Sequence, residues 1–465
     1  MNMINVRRLA VMTFLGAGML SDISAQDFSL QADTLNEARL PAQWDLHSCI
    51  DYALEQNITI RKNRVTAEST QIDVKTAKAA LFPSLSFSTS QQVVNRPYQE
   101  TSSRVSGSEI ISSNSKTSYN GNYGLNASWT IYNGSKRLKT LKQERLNNQI
   151  AELDVATSEN TIKESIAQIY IQILYAAESV RVNENTLQVS IAQRDRGQEL
   201  LNAGSIAKSD LAQLEAQVST DRYQLVTAQA TLQDYKLQLK QLLELDGENE
   251  MNVYLPKLSD ENVLAPLPAK KDVYVSALAI RPEIEASKLN VEASELGIDI
   301  AKSSYFPTIS LSAGIGTNHT SGSDFTFGEQ VKNGWNNSIG LSVSVPIFNN
   351  RQTKSAVQKA KLQRETDMLS LLDEQKALYK TIESLWLDAN SAQQRYAAAN
   401  EKLRSTQISY DLISEQFNLG MKNTVELLTE KNNLLQAQQE QLQAKYMAIL
   451  NTQLLKFYQG DKLTL

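Results

Sequence analysis

The sequence predicts a mainly helical chain built as two copies of one unit, in which four amphipathic strands interrupt very long helices. Three observations predict it. Two parts of the chain overlay in register, proline and glycine are confined to a few windows, and four short runs alternate between apolar and small polar residues.

The overlay places Ala53-Leu54 on Ala277-Leu278. In that register Glu68 meets Glu292, Ala77-Lys78 meets Ala301-Lys302, Phe82-Pro83 meets Phe306-Pro307, and Ser86 meets Ser310. Farther on, a second register brings Ile131 onto Ile347, Asn133 onto Asn349, Gly204 onto Gly420 and Leu211 onto Leu427. The loop between the two windows absorbs the difference. The copies span roughly residues 44–245 and 272–458, each reading helix, strand, loop, strand, long helix, short turn, long helix.

Taken in order, residues 1–25 form a targeting segment. Arg7 and Arg8 precede a short apolar run, Leu9 to Leu20, and Ile23-Ser24-Ala25 offers small residues for cleavage before Gln26. No cysteine follows the run, so no lipid anchor is expected there. An N-terminal segment and first helix occupy residues 26–82, and strands 1 and 2 with their loop occupy 83–132. A long helical pair fills 133–245 and a linker 246–271. The second copy repeats this as a helix at 272–306, strands 3 and 4 at 307–348 and a helical pair at 349–458, before a tail at 459–465. No later stretch holds the roughly 18 consecutive apolar residues of a membrane-spanning helix.

The helices follow from what is missing. Proline is absent from Gln99 to Tyr254 and after Pro346, and glycine is nearly absent from Ser135 to Asp246 and from Arg351 to Gln459. Good helix formers fill them. Apolar residues recur at helical spacing: Ile162, Ile166, Ile169 and Ile173 in one copy, and Leu378, Ile382, Leu385 and Ala389 in the other. A helix from Lys136 to Leu200 would be ~100 Å long and needs neighbours along its whole length.

At Phe82-Pro83 and Phe306-Pro307, proline ends the helical pattern and biases the preceding residue to extended backbone. Both sites are expected to switch the chain from helix to strand. Leu85, Phe87 and Thr89 alternate with serines. Tyr123, Leu125, Ala127, Trp129 and Ile131 alternate with Gly, Asn, Ser and Thr. Ile309 to Ile315 and Ile339 to Ile347 do the same. Such dyads over ~10 residues suit a barrel wall facing lipid on one side and a lumen on the other. Trp129, Tyr132, Trp335 and Phe348 stand where an aromatic girdle would lie, and Arg96–Tyr119 and Thr317–Asn333 read as exposed loops. Four strands cannot close a barrel, because open edges in hydrocarbon leave backbone groups unpaired. Several chains must therefore contribute: three would supply twelve strands and two would supply eight.

The turns between the long helices read Ala203-Gly-Ser-Ile-Ala-Lys-Ser-Asp210 and Leu419-Gly-Met-Lys-Asn-Thr-Val-Glu426. Gly204 and Gly420 suit the residue after a helix end. Ser209 or Asp210, and Asn423 or Thr424, suit the start of the next helix.

Other chemistry is poorly served. With 46 basic and 51 acidic residues there is no basic surplus for nucleic acid. One cysteine and two histidines give no disulfide framework, thiolate cluster or triad. Cys49, whose repeat counterpart is Val273, reads as a buried apolar position. His47 and His319 read as solvated, and the acidic residues of the long helices read mostly as solvated faces or i,i+4 partners of Lys and Arg. No phosphate loop or nucleophile elbow is present, so neither an enzyme nor a cofactor is expected.

The repeat, the two Phe-Pro switches, the segment "ALAIRPEIEAS" at Ala277–Ser287 and the turn "FNLGMKNTVELL" at Phe417–Leu428 together resemble the TolC-type outer-membrane efflux factors over nearly the whole mature chain. The resemblance implies a homotrimer in the bacterial outer membrane, with four strands per chain in a twelve-stranded barrel and a helical barrel extending into the periplasm. It implies a periplasmic adaptor and an inner-membrane transporter as partners, and passive conduction of their cargo. It also implies that the second turn rings a closable aperture, with Lys422 as the basic residue and Glu426 as the first acidic one; Asp210 is the first-copy counterpart of Glu426. The second acidic position falls on uncharged Thr429, and Phe417 stands where the family often has tyrosine. Two other readings are weighed: the same architecture serving type I protein or peptide secretion, and a periplasmic coiled-coil scaffold that is not a channel.

Overall fold

A computed structural model of the chain describes residues 41–98, 102–106, 109–113, 116–245, 251–256, 263–321, 323 and 325–464. The targeting segment and its cleavage site lie outside the described residues, as do parts of the 246–271 linker. Residues 41–44 and 252–254 form a small unit of their own, in which Trp44 and Val253 make a parallel bridge. Everything below concerns the main unit.

Its elements are α1 (Leu46–Gln56), α2 (Ile58–Ala79), β1 (Ser84–Asn95), β2 (Ser102–Ser106), β3 (Glu109–Ser113), β4 (Thr117–Asn133), α3 (Lys136–Asn202) and α4 (Lys208–Leu242). Then follow α5 (Lys270–Ile280), α6 (Pro282–Ser303), β5 (Thr308–Thr320), α7 (Phe327–Asn333), β6 (Asn336–Ser344), α8 (Gln352–Asn418) and α9 (Thr424–Gln459). The chain is mostly helical with one four-stranded antiparallel sheet. The helices α3 and α8 are 67 residues each, so helices of ~100 Å do form.

Both Phe-Pro sites switch the chain in the same way. After α2 the Phe82 N–H closes a tight turn onto Ala79 O at 3.0 Å, and β1 starts after Pro83. After α6 the Phe306 N–H closes onto Ser303 O at 3.1 Å, and β5 starts after Pro307. The return to helix is also shared. Gly134 and Ser135 before α3, and Asn350 and Arg351 before α8, are all left-handed. At Gly134 a Cβ would meet Ser303 O at 2.7 Å, so that site admits only glycine.

The sheet order is β1-β4-β5-β6, leaving β1 and β6 as edges. Its register gathers the apolar residues on one face. Phe87 pairs Leu125, which pairs Ile315; Trp129 pairs Leu311, which pairs Leu341. The opposite face is small and polar, with Ser86, Asn126, Gly314 and Ser338 in one row. Among the described residues nothing covers the apolar face: Phe87, Leu85 and Leu341 are well exposed, and Ile339 is 83% exposed. None of the four strands contains Asp, Glu, Lys or Arg, and their lengths of 9 to 17 residues suffice to cross hydrocarbon. Among the described residues, no helix is long and apolar enough to do so.

Four expectations need correction. Each leading helix is two helices, because Asn57 caps α2 with its side chain and Arg281 precedes Pro282 at the start of α6. The first loop contains the β2–β3 hairpin; the second contains the end of β5 and helix α7, started by a Thr326–Glu329 capping box. Strand β6 stops at Ser344, before Pro346, which cannot donate to a ladder. His319 is not in a solvated loop. It lies in β5 between the Tyr119 and Phe327 rings, with a buried Nδ1 that has no hydrogen-bond partner among the described residues.

Cys49 is fully buried, and burial pushes its thiol up to about 12. Its counterpart Val273 is buried as well, in a core with Ala277, Ile284, Leu378, Ile382, Ala389 and Leu455. His47 is exposed and faces Asp51 at 3.2 Å, one helical turn on.

Candidate functional site at the helical turns

The turns α3–α4 and α8–α9 are built alike. Gly204 and Gly420 both have φ of +75°, and a Cβ at either position would meet nothing within 4 Å. The next amide reaches back in each case: Ser205 N–H to Leu200 O and Met421 N–H to Gln416 O, both at 2.8 Å. Gly204 N–H and Gly420 N–H bond Leu201 O and Phe417 O at 2.9 Å. This Schellman geometry satisfies the last carbonyls of the long helices, and only a residue without Cβ adopts it freely.

The next helix starts differently in the two copies. In α9 the Asn423 side chain accepts from Glu426 N–H at 2.9 Å, and the Glu426 carboxylate accepts from Asn423 N–H at 3.3 Å. In α4 the cap is Ala207, not Ser209 or Asp210. Asp210 supplies the one side-chain bond, accepting from Ala207 N–H at 3.0 Å.

Lys422 and Glu426 meet at 2.9 Å. Lys422 first, then the Asn423 N–H, hold the Glu426 carboxyl below its ordinary value. Both side chains keep substantial exposure, so this pair contributes little to stability and leaves the carboxylate charged at neutral pH. Thr429 is exposed and turns its hydroxyl inward onto Val425 O at 2.8 Å. Phe417 points elsewhere. It is 2% exposed and packs with Leu200, Leu214 and Leu427, so its ring joins all four long helices just inside the turns. Arg196 adds a bond to Asn418 O at 3.2 Å.

Sequence reasoning misses one cluster above this core. Ser190 of α3, Asp221 of α4 and Lys431 of α9 are 2%, 1% and 3% exposed and bond one another: Lys431 donates to Asp221 and Ser190, and Ser190 donates to Asp221. Gln217 donates to the second Asp221 oxygen at 2.9 Å. Burial pushes the Lys431 pKa down, and Asp221 opposes that shift. Asp221 is therefore no solvated helix-face residue. The signal was its place: Leu214, Val218, Asp221 and Leu427, Lys431, Leu434 continue the buried stripes of their helices. Among the described residues, no group of three or more His, Cys, Asp or Glu is placed to hold a metal.

The sequence profile of the outer membrane efflux proteins matches residues 49–244 and 273–460. The chain belongs to that family. Outer membrane efflux protein BepC of Brucella suis biovar 1 (strain 1330) is 26% identical over 63% of this chain and 61% of its own length. Outer membrane protein TolC of Escherichia coli (strain K12) is 25% identical over 70% of this chain and 66% of its own. The chain thus matches slightly under two thirds of the length of these curated relatives. Solved structures agree on the fold. CusC superposes with a TM-score of 0.76 at 19% identity, covering 91% of this chain and 94% of that one. The outer membrane protein VceC of Vibrio cholerae gives 0.74 at 16% identity, covering 90% and 97%. The windows matched by the efflux family contain both turns, both Phe-Pro switches and the Ser190–Asp221–Lys431 cluster.

Proposed function

We propose that the chain is one subunit of a trimeric exit duct in the bacterial outer membrane. The observation that carries this is the sheet. It is charge-free, and among the described residues nothing covers its apolar face or pairs with either of its edges. In water such a face would associate; in a bilayer the edges need partners, because each unpaired backbone group costs several kcal/mol. Three copies, joined edge to edge, would close twelve strands into one barrel. The long helices, two pairs per chain by internal two-fold repetition, would continue it as a helical barrel through the periplasm.

On this reading the α8–α9 turns converge on the aperture, where three Glu426 carboxylates favour cations. Asp210, Lys422 and Thr429 line the same end; Phe417 holds the hairpins together behind them. The duct takes cargo passively from an inner-membrane transporter through a periplasmic adaptor and uses no cofactor. It is a conduit rather than an enzyme. A soluble scaffold has no use for an apolar sheet face.

Conductance in planar bilayers tests this. Wild-type protein should insert and pass a small cation-favouring current, and Glu426→Gln should lower the cation preference. Insertion with unchanged selectivity would move the aperture away from this turn. Failure of the membrane-extracted protein to insert would reject the duct.

A further inference from the structure

The faces that join the two helical hairpins of one chain are repetitive. On α3 the buried stripe runs Asn183, Leu187, Ser190, Gln193, Gly197 and Leu200; on α4 it runs Leu214, Val218 and Asp221; on α9 it runs Leu427, Lys431, Leu434 and Ala437. Spacings of three and four make these stripes coiled-coil-like. The aliphatic members of these stripes, Leu187, Leu200, Leu214, Val218, Leu427 and Leu434, are close to one another in size, so apolar packing alone distinguishes neighbouring registers weakly, and the Gln193–Tyr410 and Gln217–Asn432 bonds that also cross between the hairpins are only part-buried or exposed. The Lys431 ammonium is different. Only one register brings it to the Asp221 carboxylate and the Ser190 hydroxyl, and every slipped register leaves two opposite charges buried and apart.

We propose that Ser190, Asp221 and Lys431 are positioning residues that select a single axial register of α9 against α3 and α4. Their contribution is to specificity rather than to stability. A buried ion pair replaced as a whole by apolar residues is often no less stable, whereas a polar residue in an apolar seam can dictate register. Lys431 lies seven residues after Thr424, so the register it selects is set about 10 Å along the axis from the start of α9. Glu426 lies between the two. If the duct reading holds, the same triad sets the level at which the three Glu426 carboxylates stand; the register itself does not depend on that reading.

The test reads register directly. Ser179 of α3 and Gln439 of α9 touch at 3.1 Å across the same interface. Ser179→Cys is combined in turn with Gln439→Cys, Leu435→Cys or Gln443→Cys, the last two lying one turn to either side. Cys49 is the only native cysteine and is buried. The full-length protein in detergent is treated with a short bis-maleimide, and linked peptides are quantified by mass spectrometry. With the triad intact, the 179–439 link should exceed both neighbours by at least about tenfold, since slippage strands a buried charge. In the Lys431→Met/Asp221→Leu background the protein should keep its oligomeric state and melting temperature, while the three links converge to within about twofold of one another. A double variant that keeps the parent's single dominant link would overturn the proposal, because packing alone would then set the register. So would a double variant that no longer folds, because the pair would then act through stability. A protein that shows the expected links yet never conducts would reject the duct and leave the register assignment standing.

Discussion

Replacing Arg281 by Met should destabilise the chain by about 3–4 kcal/mol at neutral pH, and more so as pH rises. Arg281 sits at the break between α5 and α6 and is 5% exposed. Its guanidinium donates to Glu164 Oε1 of α3 at 2.8 Å, and its carbon lies 3.6 Å from the Tyr458 ring centre and 5.0 Å from that of Phe457, both in α9. One side chain thus ties three elements. Methionine fills much of the volume but leaves Glu164 without its cation. That loss belongs at the lower end of the roughly 3–5 kcal/mol for breaking a buried pair, because Glu164 keeps 23% exposure. The lost cation–π contacts add roughly 1 kcal/mol.

The pH dependence follows from Glu164. Burial raises its pKa above the ordinary 4.5, and Arg281 already opposes that rise. Removing Arg281 raises it further. A carboxyl with a raised folded-state pKa stabilises the fold below its unfolded value, and that contribution is lost as pH climbs through the folded value. The gap between wild type and Arg281→Met should therefore be small near pH 4 and widen toward pH 8. Urea unfolding of the detergent-purified protein at both pH values, followed by far-ultraviolet circular dichroism, measures it. Adding Glu164→Gln to Arg281→Met should recover part of the loss at pH 8. A pH-independent gap, or a variant as stable as wild type, would show that Arg281 is not the cation that holds Glu164 charged in the folded chain.

Three further outcomes are expected. Phe417→Ala should cost about 3–5 kcal/mol locally and expose the α8–α9 turn to protease, since its ring fills the core shared with Leu200, Leu214 and Leu427; unchanged cleavage kinetics would contradict that placement. Gly420→Ala should cost about 1–2 kcal/mol through backbone strain alone, because the φ of +75° is disfavoured while the site is otherwise open, and Gly420→Asn should cost less by the same unfolding assay. The folded-state pKa of Glu426 is lowered, so its contribution is present above pH 4.5 and lost as pH falls through the folded value. Protease cleavage at the α8–α9 turn should rise in that acid window, and Glu426→Gln should abolish the pH dependence.

Much of the fold is local in origin and was legible for that reason. Pro83 and Pro307 act on their immediate neighbours, and the helix-to-strand switches fall there. Gly204 and Gly420 end the long helices through backbone freedom that a short sequence displays. Period-two alternation located the four strands of the sheet. The misses have two causes. Capping side chains at Asn57 and Thr326 compete with the surrounding pattern and break or start helices within what read as one helix or one loop. Long-range pairing is the other. Asp221 and Lys431 are 210 positions apart, and each alone resembles a solvated helix-face charge. Only their place on apolar stripes marks them as buried. His319 reads as a loop residue in the sequence because β5 runs on past the residues that alternate, carrying it between two rings.

In the proposed duct, one chain supplies four strands to a barrel that three chains close. The most direct measurement is the protein mass of the membrane-extracted particle, by light scattering with the detergent contribution subtracted. Three chains per particle are expected. A particle of one chain that still inserts and conducts would contradict that.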